Sequence, residues 1–133
     1  MVDVSVTKRV SLAFDEAVDR MTAELAREGF GVLTKIDVKA TLKEKLDVDF
    51  RNYAILGACN PALARRALEA DLGVGALLPC NVVIYEEDDG SVISVFDPEV
   101  GMGVAGVPRL EPIAAEAKSC LLRALSRVGA ASH

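Results

Sequence analysis

The stretch from Leu56 to Asn81, LGACNPALARRALEADLGVGALLPCN, sets the clearest helix of the chain between two copies of Cys-Asn, Cys59-Asn60 and Cys80-Asn81. Asn60 followed by Pro61 predicts a helix start. The amide can accept from free N–H groups of the first turn, and proline is tolerated where no N–H is needed. The helix runs to about Asp71 and stops at Gly73. The apolar run RNYAILGAC before it and CNVVIYEE after it both predict strands. The relation between those strands decides the fold. If the helix alone carries the chain back, the strands are parallel and the cysteines lie at opposite sheet ends. About eleven helical residues at ~1.5 Å each then separate them by roughly 16 Å, beyond the ~7 Å Cα limit of a disulfide. If LGVGALLP returns along the helix, the strands are antiparallel and both cysteines sit at one end. The sequence is compatible with either.

Working outward, VDVSVTKRVS alternates Val2, Val4 and Val6 with polar neighbours, a first strand. Ser11 or Asp15 is placed to cap a helix whose stripe is Phe14, Val18, Met21 and Leu25 and whose end is Gly29. FGVLTKIDV predicts a second strand, and VKATLKEKL a short helix with Val38, Leu42 and Leu46 on one side. The nearly continuous apolar run of RNYAILGAC predicts a place in the middle of the sheet. CNVVIYEE, the turn DDG and SVISVFD predict a hairpin. A glycine-rich loop is expected from Pro98 to Pro108, then a last helix turning Ile113, Ala117, Cys120, Leu121 and Leu125 to the core.

The expected order is β-α-β-α-β-α-β-β-α. It predicts an α+β two-layer sandwich, a mixed, mostly antiparallel sheet of about five strands with helices on one face. Residues 1–128 read as one domain and 129–133 as a disordered tail. The sheet's other face must be polar or covered. The apolar run from Tyr53 to Ala58 favours covered, and a second subunit is the simplest cover.

Composition excludes several classes. The 133 residues are 51% hydrophobic and 26% charged, a globular balance. A net charge of -5, with four Phe, two Tyr and no Trp, argues against nucleic acid as a partner. Charged residues interrupt the N-terminal stretch, and no run approaches the ~18 apolar residues of a membrane span, so no membrane partner is expected. Three cysteines without framework spacing suggest free thiols in a reducing compartment, and a cytoplasmic protein. The only histidine is His133, the last residue, which leaves Ser-His or Cys-His catalysis without a base. No metal is expected, because zinc would need carboxylates beside at most three thiolates.

Five features are candidates for a site. Gly101, Gly103 and Gly106 match GxGxxG, but Asp97-Pro98 precedes them, Pro108 follows, and no strand comes after the last helix. Glu86, Glu87, Asp88 and Asp89 lack the alternating ligands of a calcium loop and read as a solvated hairpin tip. Lys35, Lys39, Lys43 and Lys45 form the one basic cluster. Lys39 beside Lys43 can hold an anionic group, or be a solvated face partnered by Glu44 and Asp37. Cys59 precedes a helix N-terminus, whose partial positive charge stabilises a thiolate. Cys80 follows Pro79 at a strand start, and Cys120 reads as a small core residue.

The segment ATLKEKLDVDFRNYAILGACNPALARRALEADLGVGALLPCNVVIYE, followed by SVFDPE, resembles domain-of-unknown-function family 302, small bacterial and archaeal proteins. The resemblance runs from about Val6 to Val128, and TLKEKL, LGACNP, LLPCN and Asp97-Pro98 are its most specific pieces. It implies a compact α+β domain that tends to form dimers, and it brings no established activity. The positions it carries over are Lys43, Lys45, Cys59, Asn60, Pro61, Pro79, Cys80, Asn81, Asp97 and Pro98. The GMGVAGVP segment departs from the family pattern.

The leading expectation is a homodimer binding a small ligand, with a small anion as the candidate partner, near the two Cys-Asn pairs. Cys59, Asn60, Cys80 and Asn81 would form the site, with Lys43 and Lys45 as the anion contact; no cofactor is identified. One alternative is a thiol enzyme or redox protein with Cys59 as thiolate, Cys80 as resolving partner and Asp97 as acid or base. The other is a structural interaction module.

Overall fold

The computed structural model describes residues 4–129, so Val2, His133 and the expected tail beyond Gly129 lie outside the described residues. The strands are β1 (Ser5–Val10), β2 (Gly31–Asp37), β3 (Tyr53–Cys59), β4 (Cys80–Glu87) and β5 (Gly90–Phe96). The helices are α1 (Phe14–Arg27), α2 (Val38–Leu46), α3 (Pro61–Ala70), α4 (Pro98–Ala105) and α5 (Glu111–Arg127). The strands form one sheet in the order β1-β5-β4-β3-β2. All four pairings are antiparallel.

The expected α+β fold is what the structure shows, with two differences of detail and one open alternative decided. The centre of the sheet is β4, and β3 is one place off centre. Asp71 ends α3, and a short 3-10 helix, Leu72–Leu77, returns the chain to the end from which α3 departed. That return makes β3 and β4 antiparallel neighbours, with Ala58 opposite Cys80. Finally, the expected loop from Pro98 holds α4. Asp97 Oδ1 accepts from the N–H groups of Glu99 at 2.9 Å and Val100 at 3.4 Å, Pro98 occupies the first turn, and Gly106 ends the helix at φ 69°. Glycine content suggested a loop, but the cap and the stop decide the local state.

Alternation sorts the core. Val10, Ala54, Leu56, Ala58, Val82, Ile84, Ile93 and Val95 point to the helical side and are buried. Against them pack Ala17, Val18, Met21 and Leu25 of α1 and Ile113, Ala117, Leu121 and Leu125 of α5. The two helices are tied at their ends by ion pairs. Arg127 reaches Glu24 at 2.7 Å and Glu28 at 2.6 Å, and Arg123 reaches Glu28 at 3.0 Å. Neither Ser11 nor Asp15 caps α1, whose N-cap is Ala13, with no side-chain bond. Lys8 of β1 donates to the carbonyls of Leu125, Ser126 and Val128, satisfying the C-terminal end of α5. Helix α2 stands apart. It buries no residue, and its packing is against β2 and β3.

Candidate functional site

Antiparallel pairing gathers four candidates at one edge of the sheet. Strand β3 ends there at Cys59, β4 begins at Cys80, and β5 ends just before Asp97. The first turns of α3 and α4 start from that edge, behind Asn60 and Asp97. Between the strand ends and α3, α4 and α5 lies an apolar cavity of about 20 Å³ lined by Phe30, Cys59, Leu63, Cys80, Met102 and Ile113, with Asn60 beside them. Its size is that of one water-sized sphere. No helix among the described residues is long and apolar enough to cross a membrane, and no described group of three or more His, Cys, Asp or Glu is placed to hold a metal ion.

The candidates meet different fates there. Asn60 is committed to the fold. Its Oδ1 accepts from Leu63 N–H at 3.2 Å as the cap of α3, and its Nδ2 donates to Glu28 C=O at 3.4 Å, joining α3 to the end of α1. Cys80 is buried, and burial first, then the neighbouring Cys59, pushes its thiol up to about 11. Cys59 is half-buried, and the cysteines among the described residues are free thiols. Asp97 is 8% exposed. Burial alone would raise its carboxyl, but Lys118 at 2.9 Å and the α4 N–H groups outweigh it and hold the carboxyl below the usual range. Lys118 also pairs with Glu99 at 3.2 Å, and its ammonium is held above its usual range by Asp97 and then by Glu99. The carboxylate is therefore occupied by an ion pair and a cap.

Asn81 and the lysines are elsewhere. Asn81 sits opposite Gly57 on the helix-free face, in a broad depression with Thr7, Tyr53, Tyr85, Ser94 and Phe96. Lys43 and Lys45 are on α2, which joins the opposite edge, so seven strand residues of ~3.3 Å each, roughly 20 Å, separate them from Cys59. Lys43 pairs with Asp47 at 3.0 Å and Asp49 at 3.4 Å, in place of the expected Glu44 and Asp37. Asp37 instead caps α2 through Ala40 N–H at 2.9 Å. Lys35, Lys39 and Lys45 are exposed.

Sequence reasoning missed Phe30, Met102 and Lys118. Phe30 and Met102 carry no chemical signature, and only the packing of α4 on α5 brings Met102 to the cavity. Lys118 had a signal. It falls one residue after Ala117 on the α5 stripe, so a charged side chain at the border of an apolar face requires a partner.

The comparisons agree with this geometry. The sequence profile of the domain of unknown function DUF302 matches residues 6–128. The crystal structure of an uncharacterized conserved DUF302 protein from Bacillus stearothermophilus superposes with a TM-score of 0.89 at 36% identity, over 96% of this chain and 99% of that one. No curated protein is similar enough to count as a match. A profile spanning nearly the whole chain, and a shared fold at that identity, assign it: the chain belongs to the DUF302 family.

Proposed function

We propose that this chain is a non-catalytic, homodimeric small-ligand-binding module whose site is the apolar cavity at the Cys59–Cys80 edge of the sheet. One observation carries the ligand reading. The antiparallel β3–β4 pair brings both cysteines to a single cavity walled by three helices, at an edge where the polar groups are already engaged. Thiol chemistry is the weaker reading, because Cys80 is buried with its thiol pushed up to about 11 and Asp97 is held by Lys118. The test is a small-molecule screen on the native protein, read by how far each compound slows alkylation of Cys59. A saturable protector that Cys59→Ser still binds, measured by calorimetric titration of that variant, supports the module. Loss of binding in Cys59→Ser, or turnover of the compound, favours the thiol reading.

The helix-free face supports the dimer. Ser5, Thr7, Val92, Ser94, Phe96, Asn81, Val83, Tyr85, Tyr53, Ile55, Thr34 and Ile36 point to it by strand alternation, and its two charged residues, Arg9 and Glu87, pair with each other at 3.5 Å at one end of the strands. Tyr53 and Tyr85 stack where β3 begins, with ring centroids 5.4 Å apart. Depletion of charge around aromatic residues is the mark of an interface core. Five strands ~4.8 Å apart and ~20 Å long give a face of about 480 Å², so two copies bury about 960 Å², the size of a small, weak interface.

A further inference from the structure

Five of the eight large apolar side chains that are exposed among the described residues fall between Leu33 and Phe50, on and around α2. Leu46 is 65% exposed, Val48 45% and Phe50 41%. Helix α2 buries no residue, so it lacks the tertiary packing that supplies most of a short helix's stability. The patch runs onto the helix-free face. The Phe50 ring lies 6.2 Å from that of Tyr53, which stacks on Tyr85, and Ile36 of β2 stands beside Ile55. That face alone gives a dimer only the area of a weak interface. Covering Leu46, Val48 and Phe50 in both copies adds roughly 600 Å², which brings the total to about 1,500 Å², the standard size of a stable interface.

We propose that α2 and the segment after it, through Phe50, form an arm that lies on the partner copy of a two-fold dimer, over the turn between its β4 and β5. This rests on the reading of the helix-free face as a dimer interface. Two such faces pack in the aligned arrangement with strand directions within about 30°, and the two-fold axis lies between them. An axis along the strands keeps like ends of the sheets together and exchanges the edges. Helix α2 leaves β2 and leads to β3 at the end of the sheet where β4 turns into β5, so each arm then reaches the partner's turn. An axis across the strands instead carries each arm to the partner's Cys59 edge. Charge selects the first. Helix α2 holds Lys39, Lys43 and Lys45 against Glu44. Asp47 and Asp49 engage Lys43, which leaves Lys39 and Lys45 with no ion-pair partner among the described residues. The turn and its approach hold Glu86, Glu87, Asp88 and Asp89. Arg9 engages Glu87 and Asp88 at 3.5 Å and leaves the Glu86 and Asp89 carboxylates outside any ion pair among the described residues. At the Cys59 edge, Asp97 is already held by Lys118. Opposite charges at the border of an apolar contact fix its register more than its strength.

The experiment is sedimentation equilibrium of the native protein and its variants at low ionic strength, where exposed charges are least screened. The wild type is expected to be a dimer. Phe50→Ser and Leu46→Ser should each raise its dissociation constant about 10-fold, with unchanged circular dichroism. Leu46→Ser, at the more exposed position, carries the test if Phe50→Ser fails to fold. Lys45→Glu and Asp89→Lys should each raise the constant about 5-fold. An equimolar mixture of those two should associate as tightly as the wild type, because every arm then meets a turn of opposite charge. Full affinity in the serine variants, while Val83→Glu is monomeric, overturns the arm and leaves the dimer standing. A mixture no tighter than its components overturns the placement over the turn. A wild type that stays a monomer overturns the dimer and the arm together, and assigns the patch to a different partner.

Discussion

Cys80 pairs directly with Ala58 across the β3–β4 ladder, which places it one residue from Cys59 at the same edge of the sheet. The two thiols share a cavity but not an environment, because Cys80 faces the core and Cys59 is half-buried at the strand end. Alkylation of the native protein near neutral pH should therefore label Cys59 first. Cys80, pushed up to about 11 by burial, should react only on unfolding. Cys120 should be slow too, since burial raises its thiol against the opposing pull of Arg123. Peptide mass spectrometry reads all three rates, and fast labelling of Cys80 would contradict its burial.

A charge on the helix-free face tests assembly. Val83 lies between Ile55 and Ser94 in that face. Val83→Glu sets an unpaired carboxylate in each copy of the proposed interface, which should raise the dimer dissociation constant at least ~100-fold. Sedimentation equilibrium should find twice the mass of one chain for the wild type and a single chain for the variant, with unchanged circular dichroism. A monomeric wild type at high concentration would sink the dimer.

Acid should loosen the α1–α5 contact before it reaches the core. The Glu24 and Glu28 carboxyls lie below the ordinary 4.5, each chiefly through Arg127, and Asp97 lies below 3.8. Folded values below unfolded ones mean stability that is fully present above about the ordinary values. It is lost as pH falls through the lower, folded ones. Thermal unfolding from pH 6 to pH 2 should show the melting temperature falling below about pH 4.5. Arg127→Ala should start lower and fall less, because it removes the largest cause of the shift on both glutamates and leaves only Arg27 on Glu24 and Arg123 on Glu28. A parallel pair of curves would show that these pairs do not carry the acid response.

Gly57 is fixed by its neighbours on the helix-free face. A Cβ added there would land on Thr34 Oγ1 and within 2.8 Å of Pro79 Cγ. Gly57→Ala should destabilise by about 1–3 kcal/mol through overpacking. Denaturant unfolding measures this. Adding Thr34→Ser removes the Cγ2 methyl but keeps the clashing hydroxyl, and should restore little. Adding Thr34→Ala removes the hydroxyl and should restore part of the loss.

Much of the framework was legible in the residues alone. Asn60-Pro61 announced the α3 start, and the structure finds Asn60 Oδ1 on Leu63 N–H. The stripes of α1 and α5 and the hairpin strands followed from period, because side-chain direction in a helix or strand is a local property. The fold class and the family likeness came from the same signals. Locally encoded features also misled where two local rules competed. Gly101, Gly103 and Gly106 argued for a loop, whereas Asp97 as a cap and Pro98 in the first turn make it α4.

Direction and neighbourhood belonged to the tertiary structure. Whether β3 and β4 run together or opposed depends on the path of residues 72–79, and no periodicity records where that segment returns. Only the antiparallel outcome joins Cys59 to Cys80, whereas alternation along β4 sends Asn81 to the other face and the length of β3 sets Lys43 and Lys45 at the far edge. The partners Lys118 for Asp97 and Met102 for the cavity depend on α4 packing against α5. The sequence by itself determined which residues must be buried or capped. The three-dimensional packing decided which of them meet, because contacts between distant segments are set by the joint burial of several elements at once.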